Sequence, residues 1–370
     1  MNSRERALCA LNHEQPDRAP IDIGGLVTTF TYGAYQNIVK YMDIKNPSAD
    51  IGGFKVMINI DEEILERSHS DFRTMYFAPK SPEWIMTVNE DGTMVDRWGT
   101  TFTDVGDYYE MIKFPFKEEL SVRDIEEFNW PDLKDKTLYE GIEGQAKNLF
   151  ENTEYCLIGT VALNIMERAM WMHGLQNFLM NMYINEEAIC ALLDKTTELL
   201  MDYLENYLPQ VSRYIDVIAY GDDLATQNSL LMSPDIYRKL IKPRQAKVFE
   251  YIKKNSHAKI FYHCCGAAVP FIDDLAEIGV DILNPVQPLA KDMDFEYLKK
   301  NFGEKVIFWG AIDEQQLLPH GTPEQVRAET RRAIDILGKG GGYICGPAHN
   351  IQSDVPPENL FALCDAAFEY

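Results

Sequence analysis

The chain has 370 residues, 46% of them hydrophobic and 25% charged, which suits a globular protein with room for one large α/β unit. Its formal net charge of −23 argues against nucleic acid, which cationic surfaces bind, and against polyanionic substrates not met by local arginines. No apolar stretch is long enough to span a bilayer, and the opening Met1-Asn2-Ser3-Arg4-Glu5-Arg6 lacks a signal-peptide core, so neither a membrane nor export is expected and a cytoplasmic location is.

Residues 3–12 read as an amphipathic helix, followed by the turn Glu14-Gln15-Pro16-Asp17-Arg18 and a strand, Ala19-Pro20-Ile21-Asp22-Ile23, that stops at Gly24-Gly25. Residues 84–114 alternate around Asn89-Glu90-Asp91-Gly92, a hairpin signal, and are expected to form an antiparallel excursion. From about residue 150, strand-like runs begin at 155, 216, 259, 281, 306 and 342. Helices fall between them: a 3.6-residue pattern over 186–207, and two starts marked by a cap and a proline, Ser233-Pro234 and Thr322-Pro323. Strand and helix in alternation mean a parallel sheet covered by helices, and the length and strand count suit a closed (β/α)8 barrel in a single domain, 1–370, with an open doubly wound sheet as runner-up. Neither G-x-G-x-x-G after the first strand nor a P-loop is present.

In such barrels, chemistry gathers where strands end. The run at 259 ends in Tyr262-His263-Cys264-Cys265-Gly266. His263 and Cys265 are two residues apart, so extended backbone puts them on one face, and imidazole and thiolate are preferred zinc donors. A third ligand is expected from His349 or Cys345, beside the last strand. Asp222 and Asp223, after the run at 216, are candidates to act as a base, to orient a metal-bound histidine or to ligate metal. Tyr220, Asn284, Gln287 and Asp313, at the same strand ends, are candidates for substrate contact. Cys9, Cys156, Cys190 and Cys364 lie in apolar patterns and read as core residues.

Several stretches together resemble the uroporphyrinogen decarboxylase superfamily. They are Arg4-Glu5-Arg6 through Pro16-Asp17-Arg18-Ala19-Pro20; Gly221-Asp222-Asp223-Leu224 through Ser233-Pro234; Gly279 through Gln287; Phe308-Trp309-Gly310; and Gly342-Tyr343-Ile344 through His349-Asn350-Ile351 to Pro357-Glu358-Asn359. The resemblance implies a (β/α)8 barrel and one of two chemistries. One branch transfers methyl groups with a zinc held by a His-x-Cys pair and a later Cys. The pair maps onto His263 and Cys265, and the later position falls on His349, with Cys345 four residues earlier. The other branch decarboxylates uroporphyrinogen without a cofactor, using an N-terminal arginine-rich motif. The matching stretch here, Ile21 to Thr29, has no arginine.

The expectation is therefore a zinc-dependent methyltransferase of one-carbon metabolism that moves a methyl group between a small substrate and a corrinoid protein. Decarboxylation of uroporphyrinogen or a related carboxylated compound is the alternative. The expected partners are the small substrate, the corrinoid protein and, for assembly, a second copy of the chain.

Overall fold

The computed structural model describes residues 1–79 and 86–370. Seven parallel strands form one sheet: β1 (Phe72–Met75), β2 (Cys156–Thr160), β3 (Val217–Gly221), β4 (Lys259–His263), β5 (Ile282–Val286), β6 (Ile307–Ile312) and β7 (Tyr343–Pro347). Each pairs with the next, from β1 to β7, and helices fill most of the connections. Six of the seven match strand runs expected from sequence. β1 was not foreseen.

The predicted strand at 19–23 is reduced to a bridge. Pro20–Asp22 lie between the two outer strands: Cys345 N–H bonds the Pro20 carbonyl (2.8 Å), Asp22 N–H the Cys345 carbonyl (2.9 Å), and Asp71 N–H the Ile21 carbonyl (2.8 Å). The sheet is thereby curled into a barrel-like wall. Its lumen is packed with alternate strand residues, among them Phe72, Ile158, Val217, Phe261, Ile282, Trp309 and Ile344.

The helix Ser3–Leu11 starts on a capping box formed by Asn2 and Glu5, and presses Ala7, Ala10 and Leu11 into the lumen from the N-terminal end of the strands. That end is a floor, and the opposite end is the rim at which the strands finish. The long helix expected at 186–207 runs from Glu186 to Val211. The starts at Ser233 and Thr322 are formed as read, each with its side chain on a backbone N–H.

The excursion is a four-stranded antiparallel sheet of Thr87–Val88, Met94–Val95, Thr101–Asp104 and Tyr109–Lys113; residues 84 and 85 lie outside the described residues. Its far turn is tied to the rim. Lys55 Nζ reaches the Asp104 carboxylate (2.7 Å) and the Gly106 carbonyl (2.7 Å), and Ser353 N–H reaches Asp107 Oδ2 (3.1 Å). No helix among the described residues is long and apolar enough to cross a membrane.

Candidate metal centre

Strand parity decides which side chains reach the rim from inside. On β4, Phe261 packs in the lumen and Tyr262 against the helices, so His263 follows Phe261 inward. Cys265 follows just past the strand, where Gly266 turns the chain at φ +83°. A Cβ on Gly266 would lie 2.4 Å from the Thr226 carbonyl oxygen, so only glycine fits there. His349 arrives from the loop after β7. The donor atoms of His263, Cys265 and His349 all lie within 4.8 Å of one another, with Cys265 Sγ 3.3 Å from His263 Nε2.

This set fits zinc. The ion takes imidazole and thiolate, and a tetrahedral site needs donors about 3.4–3.6 Å apart, a small side-chain adjustment from what is seen. The supporting shell fits as well. His263 Nδ1 donates to Asn284 Oδ1 at 2.6 Å, while Asn284 Nδ2 faces the Trp309 carbonyl at 3.4 Å. With Nδ1 carrying the hydrogen, Nε2 presents its lone pair to the group. Cys265 N–H is held by Asp223 Oδ1 (2.7 Å) and Gly266 N–H by Gln287 Oε1 (2.8 Å). Burial lowers the His349 pKa to about 3, and His263 adds to the effect, so this imidazole is a neutral donor. Burial, then Asp223, holds the Cys265 thiol well above its ordinary value. A divalent cation reverses that preference and takes the sulfur as thiolate.

Cys345, offered with His349 as third ligand, is elsewhere. It shares strand parity with Tyr343, packs in the fully buried layer between sheet and helices, and has its pKa raised by burial to about 12. It belongs to the core.

The acids after β3 divide. Asp223 turns to the centre through its bond to Cys265. Asp222 shares parity with Ile218 and Tyr220 and faces the helices. Its carboxylate accepts from the Tyr220 hydroxyl, from Gln245 Nε2 (2.9 Å) and from Glu167 N–H (2.7 Å). Burial lifts its pKa to about 6 against these bonds. Tyr220, fully buried with its hydroxyl accepting from Ile165 N–H (3.1 Å), takes part in that network and not in the rim surface. Asp313 caps the turn after β6, accepting from Gln316 and Leu317 N–H, both at 2.8 Å. Asn284 and Gln287, read as substrate contacts, are bonded to the segment His263–Gly266.

Four residues at or behind the rim went unread. Gln245, from the helix Lys242–Asn255, ties Asp222 to the Tyr262 hydroxyl (2.8 Å), and nothing in its helical context marks it. Glu167 stands beside Asp222 and Asp223; burial first, then both charges, raise its pKa well above the ordinary carboxyl value. Asp22 accepts from Thr28 (2.7 Å) and the Trp309 indole (2.9 Å), and burial raises it to about 6. Glu314, next to Asp313, was in view at a strand end and was passed over.

A barrel-like parallel sheet, sealed below and carrying a His/Cys/His donor group at its C-terminal rim, defines an α/β protein with a candidate metal site. Residues 110–370 match the family model described as Uroporphyrinogen decarboxylase (URO-D), and the chain belongs to that family. Among curated relatives, the uroporphyrinogen decarboxylase of Pseudoalteromonas translucida is 25% identical over 189 residues, 51% of this chain and 50% of its own. The methylcobamide:CoM methyltransferase MtbA of Methanosarcina acetivorans is 26% identical over 190 residues, 51% of this chain and 52% of its own. The chain thus spans about half the length of these relatives. A solved methyltransferase from Methanosarcina mazei shares the fold at TM-score 0.66 and 19% identity, over 100% of this chain and 99% of that one.

Proposed function

We propose that this protein is a zinc-dependent methyltransferase that moves a methyl group between a small substrate and a corrinoid carried by a partner protein. The observation that carries the reading is the convergence of His263, Cys265 and His349 within 4.8 Å at the rim. Zinc held by these three residues leaves a fourth position for the substrate's sulfur or oxygen, and supplies Lewis-acid activation of that atom. The chain's own residues prepare the place. Asn284 fixes the tautomer and tilt of His263. Asp223 and Gln287 hold the Cys265–Gly266 backbone, and the Asp222 network holds the helix that carries Glu167. The same reading treats residues 1–370 as one (β/α)8 unit in which residues 20–22 complete the circle. It includes a soluble, cytoplasmic enzyme that assembles with a second copy of itself.

The test is metal analysis with a transfer assay. Purified protein should hold about one zinc per chain. His263→Ala and Cys265→Ala should lose it, together with methyl transfer between methylcobalamin and a panel of thiols. A folded wild-type protein that takes up no zinc ends the reading.

Decarboxylation is the second reading, favoured by the name that several relatives carry. The absence of arginine from Ile21–Thr29 counts against it, because a highly anionic substrate needs cationic clamps. Turnover of uroporphyrinogen in the presence of a chelator would revive it.

A further inference from the structure

Glu314 spends only part of its carboxylate on the fold, in a bond to its own backbone N–H. It is 8% exposed, and its Oε2 has no hydrogen-bond partner among the described residues. Its neighbour Asp313 already does the capping. A buried carboxylate oxygen left bare costs free energy, and such costs persist where the bare atom has a use.

Register tells where it stands. Ile312 on β6 pairs with Pro347 on β7, and Ala348 N–H bonds the Ile312 carbonyl at 2.8 Å. Glu314 and His349 each lie two residues beyond that pair, on adjacent loops at one level of the rim. Electrostatics agree: the Glu314 charge is felt by the thiol of Cys265 and by the phenol of Tyr108, on the turn that leans over the rim. The acids Asp107, Asp354 and Asp223 act on the same two groups. Burial first, and Asp313 to a lesser degree, raise Glu314 to about 7. Glu314 is not one of the three converging donors.

We propose that Glu314 is a catalytic residue whose free Oε2 takes the hydrogen of the substrate's thiol or hydroxyl as that heteroatom seats at the His263/Cys265/His349 group. This rests on the methyl-transfer reading and adds a proton path to it. The X–H bond breaks, its proton goes to Glu314, and its electron pair goes to the carbon of the methyl group on the corrinoid. The carbon–cobalt bond breaks with its pair left on the corrinoid, and Glu314 then releases the proton to water. In the opposite direction every step reverses.

The experiment follows thiol ligation, not turnover. Wild type and Glu314→Gln are loaded with cobalt(II) in place of zinc and mixed with 2-mercaptoethanol by stopped flow between pH 5.5 and 8.5, with ligation followed by the sulfur-to-cobalt absorption band. In wild type the ligation rate should rise with pH as the carboxyl ionises and then level off. In Glu314→Gln ligation should be about 100-fold slower at pH 8 and lack that step, with cobalt content and the final band unchanged. Glu314→Asp, which keeps the acid on a shorter arm, checks against a folding defect and should recover part of the rate and the pH step. Equal rates and pH profiles in wild type and Glu314→Gln, both with cobalt and the band intact, overturn the role of Glu314 and leave the metal reading standing. Failure of wild type to take up cobalt overturns both.

Discussion

The two ends of the barrel wall treat their acids in opposite ways. At the floor, an aspartate stands one residue before each of β1, β3 and β5, and each has a cation. Asp71 takes Arg6 (2.9 Å) and Arg18 (2.8 Å), Asp216 takes Arg4 (2.9 Å), and Asp281 takes Lys253. Each also accepts a backbone N–H of the barrel wall: Ile21, Leu157 and Ile260 respectively. At the rim, Asp22 is held through one oxygen by a hydroxyl and an indole with its other oxygen bare, Asp222 by a phenol and an amide, and Glu314 likewise keeps one oxygen bare. Full charge pairing marks the end that only has to hold together. Acids whose pKa burial raises mark the other end.

The sharpest way to break this contrast is at the ligands. On the methyl-transfer reading, His263→Ala or Cys265→Ala should abolish zinc uptake and cut methyl transfer at least about 100-fold, by metal analysis and assay, while the floor and the fold survive. The converse is Asp71→Ala. It takes the carboxylate partner from the half-buried Arg18, leaves Arg6 to Asp17, and should cost about 3 kcal/mol in denaturant unfolding, with zinc content of the folded fraction unchanged. Between these lies Asn284→Ala, which frees the His263 ring and should weaken zinc binding about 10–100-fold in chelator competition without a comparable loss of stability.

The smallest effect is the pH dependence of stability. Asp22 has a folded pKa of about 6, above the usual carboxyl value of 3.8, so the folded state binds its proton more tightly. The stability this confers is complete below about pH 4 and is lost as pH rises through 6. Asp22→Asn removes the titration. Its melting temperature relative to wild type should climb between pH 4 and 7.5, by the equivalent of about 1–3 kcal/mol. His349, depressed to about 3, acts in the other sense, destabilising the fold as pH falls below about 6.5. It does so in both proteins, so it cancels in the comparison.

Much of this was legible in the chain. The six later strands are short buried runs between helical segments, and burial on both faces is what makes such runs apolar. β1 escaped because Phe72-Arg73-Thr74-Met75 breaks that pattern. Arg73 is buried there under the ring of Tyr155, 3.4 Å from its centroid, and paired with Glu62. The bridge at 20–22 was visible as a strand, though not as so short a one. At the site, the two-residue spacing of His263 and Cys265 carried the geometry directly. Parity could have carried more: Cys345 alternates with the inward Ile344, and Asp222 follows the outward Tyr220, so both were readable as facing the helices. His349 lies past the strand end, where alternation lapses. Gln245 reaches its partners from a different helix, a contact no local pattern encodes.

Among the described residues, the plug made by Ala7, Ala10 and Leu11 closes the floor and leaves the rim as the doorway to the centre. In a two-reactant transfer, small molecule and bulky carrier must then use that doorway in turn or share it. The carrier, seated last, would be the cork that keeps water from the methyl group. Order of arrival would then be a property of the architecture, set by a short N-terminal helix far from the reacting atoms.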